Sequence, residues 1–178
     1  MRSRRPPTEA EAAALASTVR LRIIRMTRVE PLTNRQIADL LDRDPATTLH
    51  HVRKLVGTGF LEPLPARRGA RGAKEIPYRA TDLSWNLDGA GTDRAAGEAM
   101  LRAYLDEAGR VGVPELRQTR LVVRLDPADA VAMRDELEAV LDRYAAMPAV
   151  PAGEAVAVYL SVYPGGNRPD TTGVDVGA

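Results

Sequence analysis

The sequence predicts an α+β protein: a helical N-terminal part closed by a β-hairpin, a linking helix, and a small C-terminal βαβ unit. Three observations carry this. Apolar residues recur at three- and four-residue intervals through the first sixty positions, the mark of amphipathic helices. Two short β-prone runs flank a glycine-bearing basic segment between 60 and 80. Residues 120–125 and 155–163 alternate apolar and polar positions on either side of a long helical pattern. A chain of 178 residues, 44% of them hydrophobic, has room for one domain or two small ones with a core.

Residues 1–7, MRSRRPP, read as a flexible basic arm. They have the charge of a signal peptide's start without its apolar segment, and no run of 18 apolar residues occurs anywhere, so a cytoplasmic protein is expected. Thr8-Glu9-Ala10-Glu11 is a capping box and opens a helix that runs to about Val29, with Ser17 placed to cap a second part. Leu15, Val19, Ile23 and Met26 form its buried stripe, and Pro31 ends it. A second capping box, Thr33-Asn34-Arg35-Gln36, starts a short helix that buries Ile37, Ala38, Leu40 and Leu41. Asp42-Arg43-Asp44-Pro45 stops it, because the proline ring disfavours helical geometry at the preceding residue yet suits the first turn of a new helix, for which Asp44 is the N-cap.

That new helix, 45–58, has two faces. At 100° per residue Leu49, Val52, Leu55 and Val56 fall on one side, while Thr47, His50, His51, Lys54 and Thr58 gather on the other. No acid occurs from Ala46 through Leu61, so the outer side is a strip of hydrogen-bonding and cationic groups suited to base edges and phosphates. Phe60–Leu64 and Ile76–Ala80 then read as antiparallel strands, with Pro77 requiring an edge. Between them Arg67, Arg68, Arg71 and Lys74 ride on a loop loosened by Gly69 and Gly72. The form is that of a wing whose charges lie on phosphates or enter a minor groove. A pair of capped helices with a solvated basic loop, binding nothing, is the plainer reading of the same pattern.

Ala16 to Ile24, the helix pair, ATTLHHVRKLVGTGFLEPL and RRGARGAKEIPYRAT match in order and spacing a known arrangement. Residues 10–81 resemble a winged helix-turn-helix regulator of the ArsR-like superfamily, which makes 8–81 the DNA-binding domain. The resemblance implies a homodimeric, sequence-specific protein that binds double-stranded DNA and acts on transcription as a repressor. Carried over residue by residue, it implies that Thr47, Thr48, His50, His51 and Lys54 face the major groove and that Arg67, Arg68, Arg71 and Lys74 serve the wing. The 100° placement nevertheless tilts Thr48 toward the core. Many members of that superfamily sense metals through thiolates, whereas this chain has no cysteine. His50 and His51 are adjacent, point about 100° apart and lack a ligand-type residue at helical i, i+4 spacing, so neither a metal site nor a cofactor is expected.

Residues 82–118 form a connector with Trp85 as a packing anchor, then a helix of about 93–110 capped by Thr92. Ala96, Met100, Tyr104 and Ala108 make one stripe with Leu101 and Leu105 beside it, broad enough to suggest a dimer contact. Residues 119–163 supply the βαβ unit: Leu121, Val123 and Leu125 in one strand, a helix capped by Asp126 with Pro127 in its first turn, and Val156, Val158, Leu160 and Val162 in the other. Ala130, Met133, Leu137, Val140, Leu141 and Tyr144 form the helix's inner stripe. Two strands and one helix make a poor independent core, so this unit is assigned to dimerisation or to an unidentified small-molecule effector, for which Met133, Tyr144, Tyr159 and Tyr163 are the candidate lining. Residues 164–178 read as a disordered tail.

The net charge of +1 conceals a division: through Thr81 there are 16 Lys and Arg against 8 Asp and Glu, and beyond it 9 against 16. A front part of +8 attracts a polyanion; a rear part of −7 is repelled by one. Catalytic signatures are missing, with no Gly-x-Ser-x-Gly elbow, no Gly-Lys-Ser/Thr phosphate loop and no cysteine nucleophile, so an enzyme is not expected. The alternative is a non-DNA-binding interaction module whose acidic C-terminal unit binds a protein or small-molecule effector.

Overall fold

Both N-terminal capping boxes form, and they place the first helices. In the computed structural model, which describes residues 4–69, 73–87, 93–148, 150 and 153–165, Thr8 caps α1 (Glu9–Leu15) and Thr33 caps α3 (Asn34–Leu41). In each box the threonine Oγ1 accepts the N3 amide, while the N3 side chain accepts the cap's own N–H at 2.7 Å from Glu11 and 2.9 Å from Gln36. Ser17 caps α2 (Thr18–Val29), so the first helical stretch is two helices meeting at a break. Thr27, in the middle of the core, satisfies its buried hydroxyl on the Ile23 carbonyl at 2.7 Å. The chain divides into two units, Met1–Leu116 and Arg117–Ala178.

In the first unit, β1 (Leu32–Thr33) precedes α3, and α4 (Pro45–Gly57) follows it. The turn between the helices is made at Asp42, a left-handed residue with φ 52°, a conformation Asp tolerates because its short polar side chain bonds locally. Gly59, at φ +80°, reverses the chain after α4 and lets the Phe60 amide return to the Leu55 carbonyl at 2.9 Å. Phe60, wholly enclosed, packs with Leu15, Ile23, Ile37, Val52 and Leu55 in one core that also takes in Leu32, Leu61, Ala80 and Leu87.

The sheet runs β1-β5-β2, with β2 at Leu61–Pro63 and β5 at Pro77–Ala80, both pairings antiparallel. β5 is therefore the central strand, not the edge that Pro77 was expected to require. The proline is accommodated as the strand's first residue, where its missing N–H breaks no ladder, and its carbonyl accepts from the Leu64 amide at 2.8 Å. β1 supplies the unforeseen third strand, registering Leu32 with Tyr78 and Thr33 with Pro77. A separate ribbon, β3 (Arg67–Arg68) with β4 (Lys74–Glu75), forms the hairpin tip.

The N-terminal arm departs from expectation over residues 4–7. The Arg5 guanidinium grips Glu11 with a two-pronged bond of 2.8 and 2.6 Å, the Arg5 amide bonds the Asn86 carbonyl, and the Arg4 guanidinium stands 4.9 Å from the Trp85 ring. A buried acid with both oxygens committed holds the segment in place. Residues 1–3 lie outside the described ones.

Helix α5 (Arg94–Val111) is capped by Asp93, which accepts from the Ala96 amide at 2.9 Å; the predicted cap, Thr92, lies outside the described residues. Ala96, Ala99 and Ala103 bury against α1 and α2, and Arg25 of α2 pairs with Glu107 at 2.7 Å. Met100, Tyr104 and Ala108 are half-buried beside them, while Leu101 and Leu105 are exposed. A 3-10 turn, Val113–Glu115, ends the unit.

The second unit contains α6 (Pro127–Ala145), with Asp126 capping Asp129 and Pro127 in the first turn as the sequence predicts. The flanking segments 120–125 and 155–163 form no strand, which corrects the expected βαβ pairing. They approach each other near Gly165, where an added Cβ would lie 3.3 Å from Val122, yet no ladder joins them. The reason is the absence of an interior: no described residue of this unit is buried, and 16 large apolar residues, from Leu121 to Tyr163, are between 36% and 76% exposed. Without burial, the entropy of fixing two strands is not offset. Of the expected inner stripe, Ala130, Met133 and Leu141 are half-buried, while Leu137, Val140 and Tyr144 are exposed, as is Tyr163 of the candidate lining. Residues 166–178, with most of the predicted tail, lie outside the described ones.

Candidate nucleic-acid interface

Three local devices aim α4. Asp44 Oδ1 accepts the amides of Ala46 and Thr47 at 2.9 and 3.0 Å, fixing the first turn, and the Asn34 Nδ2 donates to the Pro45 carbonyl at 2.9 Å, tying that turn to α3. Thr48, Val52 and Leu55, spaced at i, i+4 and i+7, are completely buried and set the inward face. The outward face follows from them: Thr47, His50, Arg53 and Lys54 are exposed.

Thr48 is thereby corrected. It has no exposed surface, and its hydroxyl donates to the Asp44 carbonyl one turn back at 3.0 Å, so it anchors the helix and does not present a group to a duplex. Leu49 and Val56, placed with the core by angle, are only half-buried.

His51 is half-buried as well. Its Nδ1 is enclosed and has no hydrogen-bond partner, and its pKa is lowered, first by burial and then by Arg20, His50 and Arg43. The imidazole is thus held toward its neutral form, with one nitrogen a donor and the other an acceptor. The His50 ring stands edge-on at 6.0 Å and 72°. No group of three or more His, Cys, Asp or Glu side chains gathers at metal-binding separation among the described residues.

The wing is cationic in a particular way. The β3–β4 register sets Arg67 opposite Glu75, and their side chains approach at 3.8 Å. It also sets Arg68 opposite Lys74. Two like charges directly across a ladder repel by a few tenths of a kcal/mol to about 1 kcal/mol. The Gly69 amide closes the turn on the Ala73 carbonyl at 2.8 Å. Glu75 folds over Gly69 so closely that any Cβ there would collide with its carboxylate. Arg71 lies outside the described residues.

Several other cations of this unit are neutralised: Arg5 by Glu11, Arg25 by Glu107, Arg28 by Asp82, and Arg79 by Glu62. Lys54, Arg68 and Lys74 have no hydrogen bond or ion pair from their cationic groups among the described residues, and neither does Arg53. Arg53 was missed in the sequence because its helical angle lies at the flank of the outward strip. The signal that finds it is the acid-free run from Ala46 to Leu61. Exposed hydroxyl, imidazole and ammonium groups on one helix, beside unpaired cations on a hairpin, can meet base edges and phosphates together.

Residues 15–63 match the family described as "Helix-turn-helix domain", so the chain contains such a domain over about a quarter of its length. No curated protein matches the sequence significantly. Among solved structures, a double mutant of ZitR from Lactococcus lactis in its apo form aligns with 74% of this chain and 86% of its own, at 15% identity and a TM-score of 0.34. No described helix is long and apolar enough to cross a membrane.

Proposed function

We propose that the helix-turn-helix domain serves a homodimeric, ArsR-like transcriptional repressor that binds double-stranded DNA sequence-specifically, with α4 in the major groove and the wing on the backbone or in the adjacent minor groove. One observation carries the reading: α4 and the wing together expose Arg53, Lys54, Arg68 and Lys74, none of them paired with an acid among the described residues. An unmatched cation gains most from a phosphate, whose condensed counterions it releases. Thr47, His50 and the neutral His51 then supply base-edge contacts, and Arg53 joins Lys54 on the phosphates.

The homodimer is supported by the second unit, whose described apolar residues have no interior in one chain; two copies of α6 and of segments 120–125 and 155–163 would bring enough apolar surface together for a shared core. The two copies of α4 would then address successive major grooves at about 34 Å. A cytoplasmic location and a non-enzymatic role accord with this function.

Salt-titrated binding to a random duplex tests the core of the proposal. Affinity should fall steeply as salt rises, with several phosphates' worth of slope. Weak binding with a flat salt response would leave the domain as an interaction module that does not bind DNA.

A further inference from the structure

Between α2, the α3–α4 turn and α5 of the first unit lies a cleft of about 300 Å³. Arg22 enters it from α2, Arg43 from the turn and Arg102 from α5, with Asp106 the one acid in its lining. Val19 and Leu105 provide apolar wall. We propose that this cleft is a binding site for a small organic anion, a carboxylate or phosphate monoester held by Arg22, Arg43 and Arg102 with its apolar part against Val19 and Leu105.

Three cations and one acid line the cleft. None of the three guanidiniums makes a hydrogen bond or ion pair among the described residues, and neighbouring Glu107 is already committed to Arg25 at 2.7 Å. Arg22 is half-buried, and its pKa is pushed down by burial first and then by Arg110 and, more weakly, Arg43, against the opposing pull of Glu107 and Asp106. A desolvated cation facing other cations is costly unless an anion completes the set, and guanidinium forks match carboxylate and phosphate geometry. The volume is at the low end for small-molecule sites, about 300–1,000 Å³. A ligand there would bridge the turn of the helix pair to α5.

The ligand titration uses the full chain without DNA, so its failure is distinct from failure of the DNA-binding reading, and the variants are titrated separately with a random duplex. Calorimetric titration at constant ionic strength compares phenyl phosphate, benzoate and, as the uncharged control, benzyl alcohol. One or both anions should bind saturably at one per chain, and the stronger of the two identifies phosphate or carboxylate as the preferred group. Benzyl alcohol should not bind. Arg102→Gln and Arg43→Gln change exposed side chains, and each should weaken the anion at least tenfold while leaving Tm without ligand unchanged. Arg102→Lys, which keeps the charge but loses the fork, should fall between. The assignment is overturned if neither anion binds, if binding survives both glutamine variants unchanged, or if the alcohol binds equally well. It is also overturned if those variants only reduce random-duplex affinity and its salt slope, which would make the cluster a contact for DNA phosphates.

Discussion

Thr47 and Thr48 are neighbours with opposite surroundings, one exposed on the outward face of α4 and the other sealed beneath it. Thr47→Ala should cost about 1–3 kcal/mol on the preferred operator and little on random duplex, measured by competitive binding. Thr48→Val should instead lower unfolding stability by about 1 kcal/mol, the net value of one hydrogen bond, and leave operator discrimination intact. Equal losses on operator and random DNA for Thr47→Ala would refute its role as a base reader. The sequence tilted Thr48 inward but did not reveal its full burial, because a hydroxyl that bonds its own carbonyl one turn back needs no exposed position. Glu11 shows a second hidden role. Its capping-box part was legible, but its bond to Arg5 was not, since nothing local announces that partner. The Arg5 guanidinium, then the Thr8 amide and hydroxyl, hold the Glu11 pKa down to about 2 against the opposing effect of burial. A carboxyl ordinarily near 4.5 therefore contributes stability in full above that pH and loses it as pH falls toward 2. Urea midpoints should drop across this window in the native protein, and Glu11→Gln should flatten that part of the profile.

Among the elements, helices were the most legible, because caps and prolines act within four residues: the Thr8, Ser17, Thr33, Asp44 and Asp126 caps all form. The sheet was less so. A two-residue strand at Leu32–Thr33 is too short to show alternation, and its partner lies more than forty residues away, so the central position of β5 could not be read locally. Wing register was equally invisible, yet it decides the electrostatics. Arg68→Glu places opposite charges across from one another and should raise the free protein's stability by about 0.2–1 kcal/mol while weakening every duplex. Lys74→Ala should relieve the same repulsion, weaken duplexes without regard to sequence and reduce the salt slope by about one unit. Thermal unfolding and salt-titrated binding on the same samples check both halves. A variant that loses stability and affinity together would show the Arg68–Lys74 pair to be structural.

For the whole molecule, the helix-turn-helix domain was readable from one chain because its core closes within one chain, around Phe60 and Ile23. The second unit was readable only as far as α6, since alternation announces strands but cannot provide the neighbour that completes a ladder. For the proposed dimer, Val123→Asp with Val158→Asp, two charges added to the unit's apolar segments, should shift sedimentation from dimer to monomer and abolish cooperative filling of paired half-sites. Unchanged dimerisation would move the interface to α5, where Leu101 and Leu105 remain exposed.

In the proposed dimer, an interior completed by the second chain would tie the molecule's survival to its abundance. Arg120, Arg124 and Arg134 lie exposed in a segment with no buried residue, and a lone copy offers them to any trypsin-like protease. Diluting the protein through its association midpoint should accelerate cleavage at these arginines well before the helix-turn-helix domain is cut. Scarce copies would be cleared and plentiful ones spared, a threshold on dosage set by folding and not by the operator.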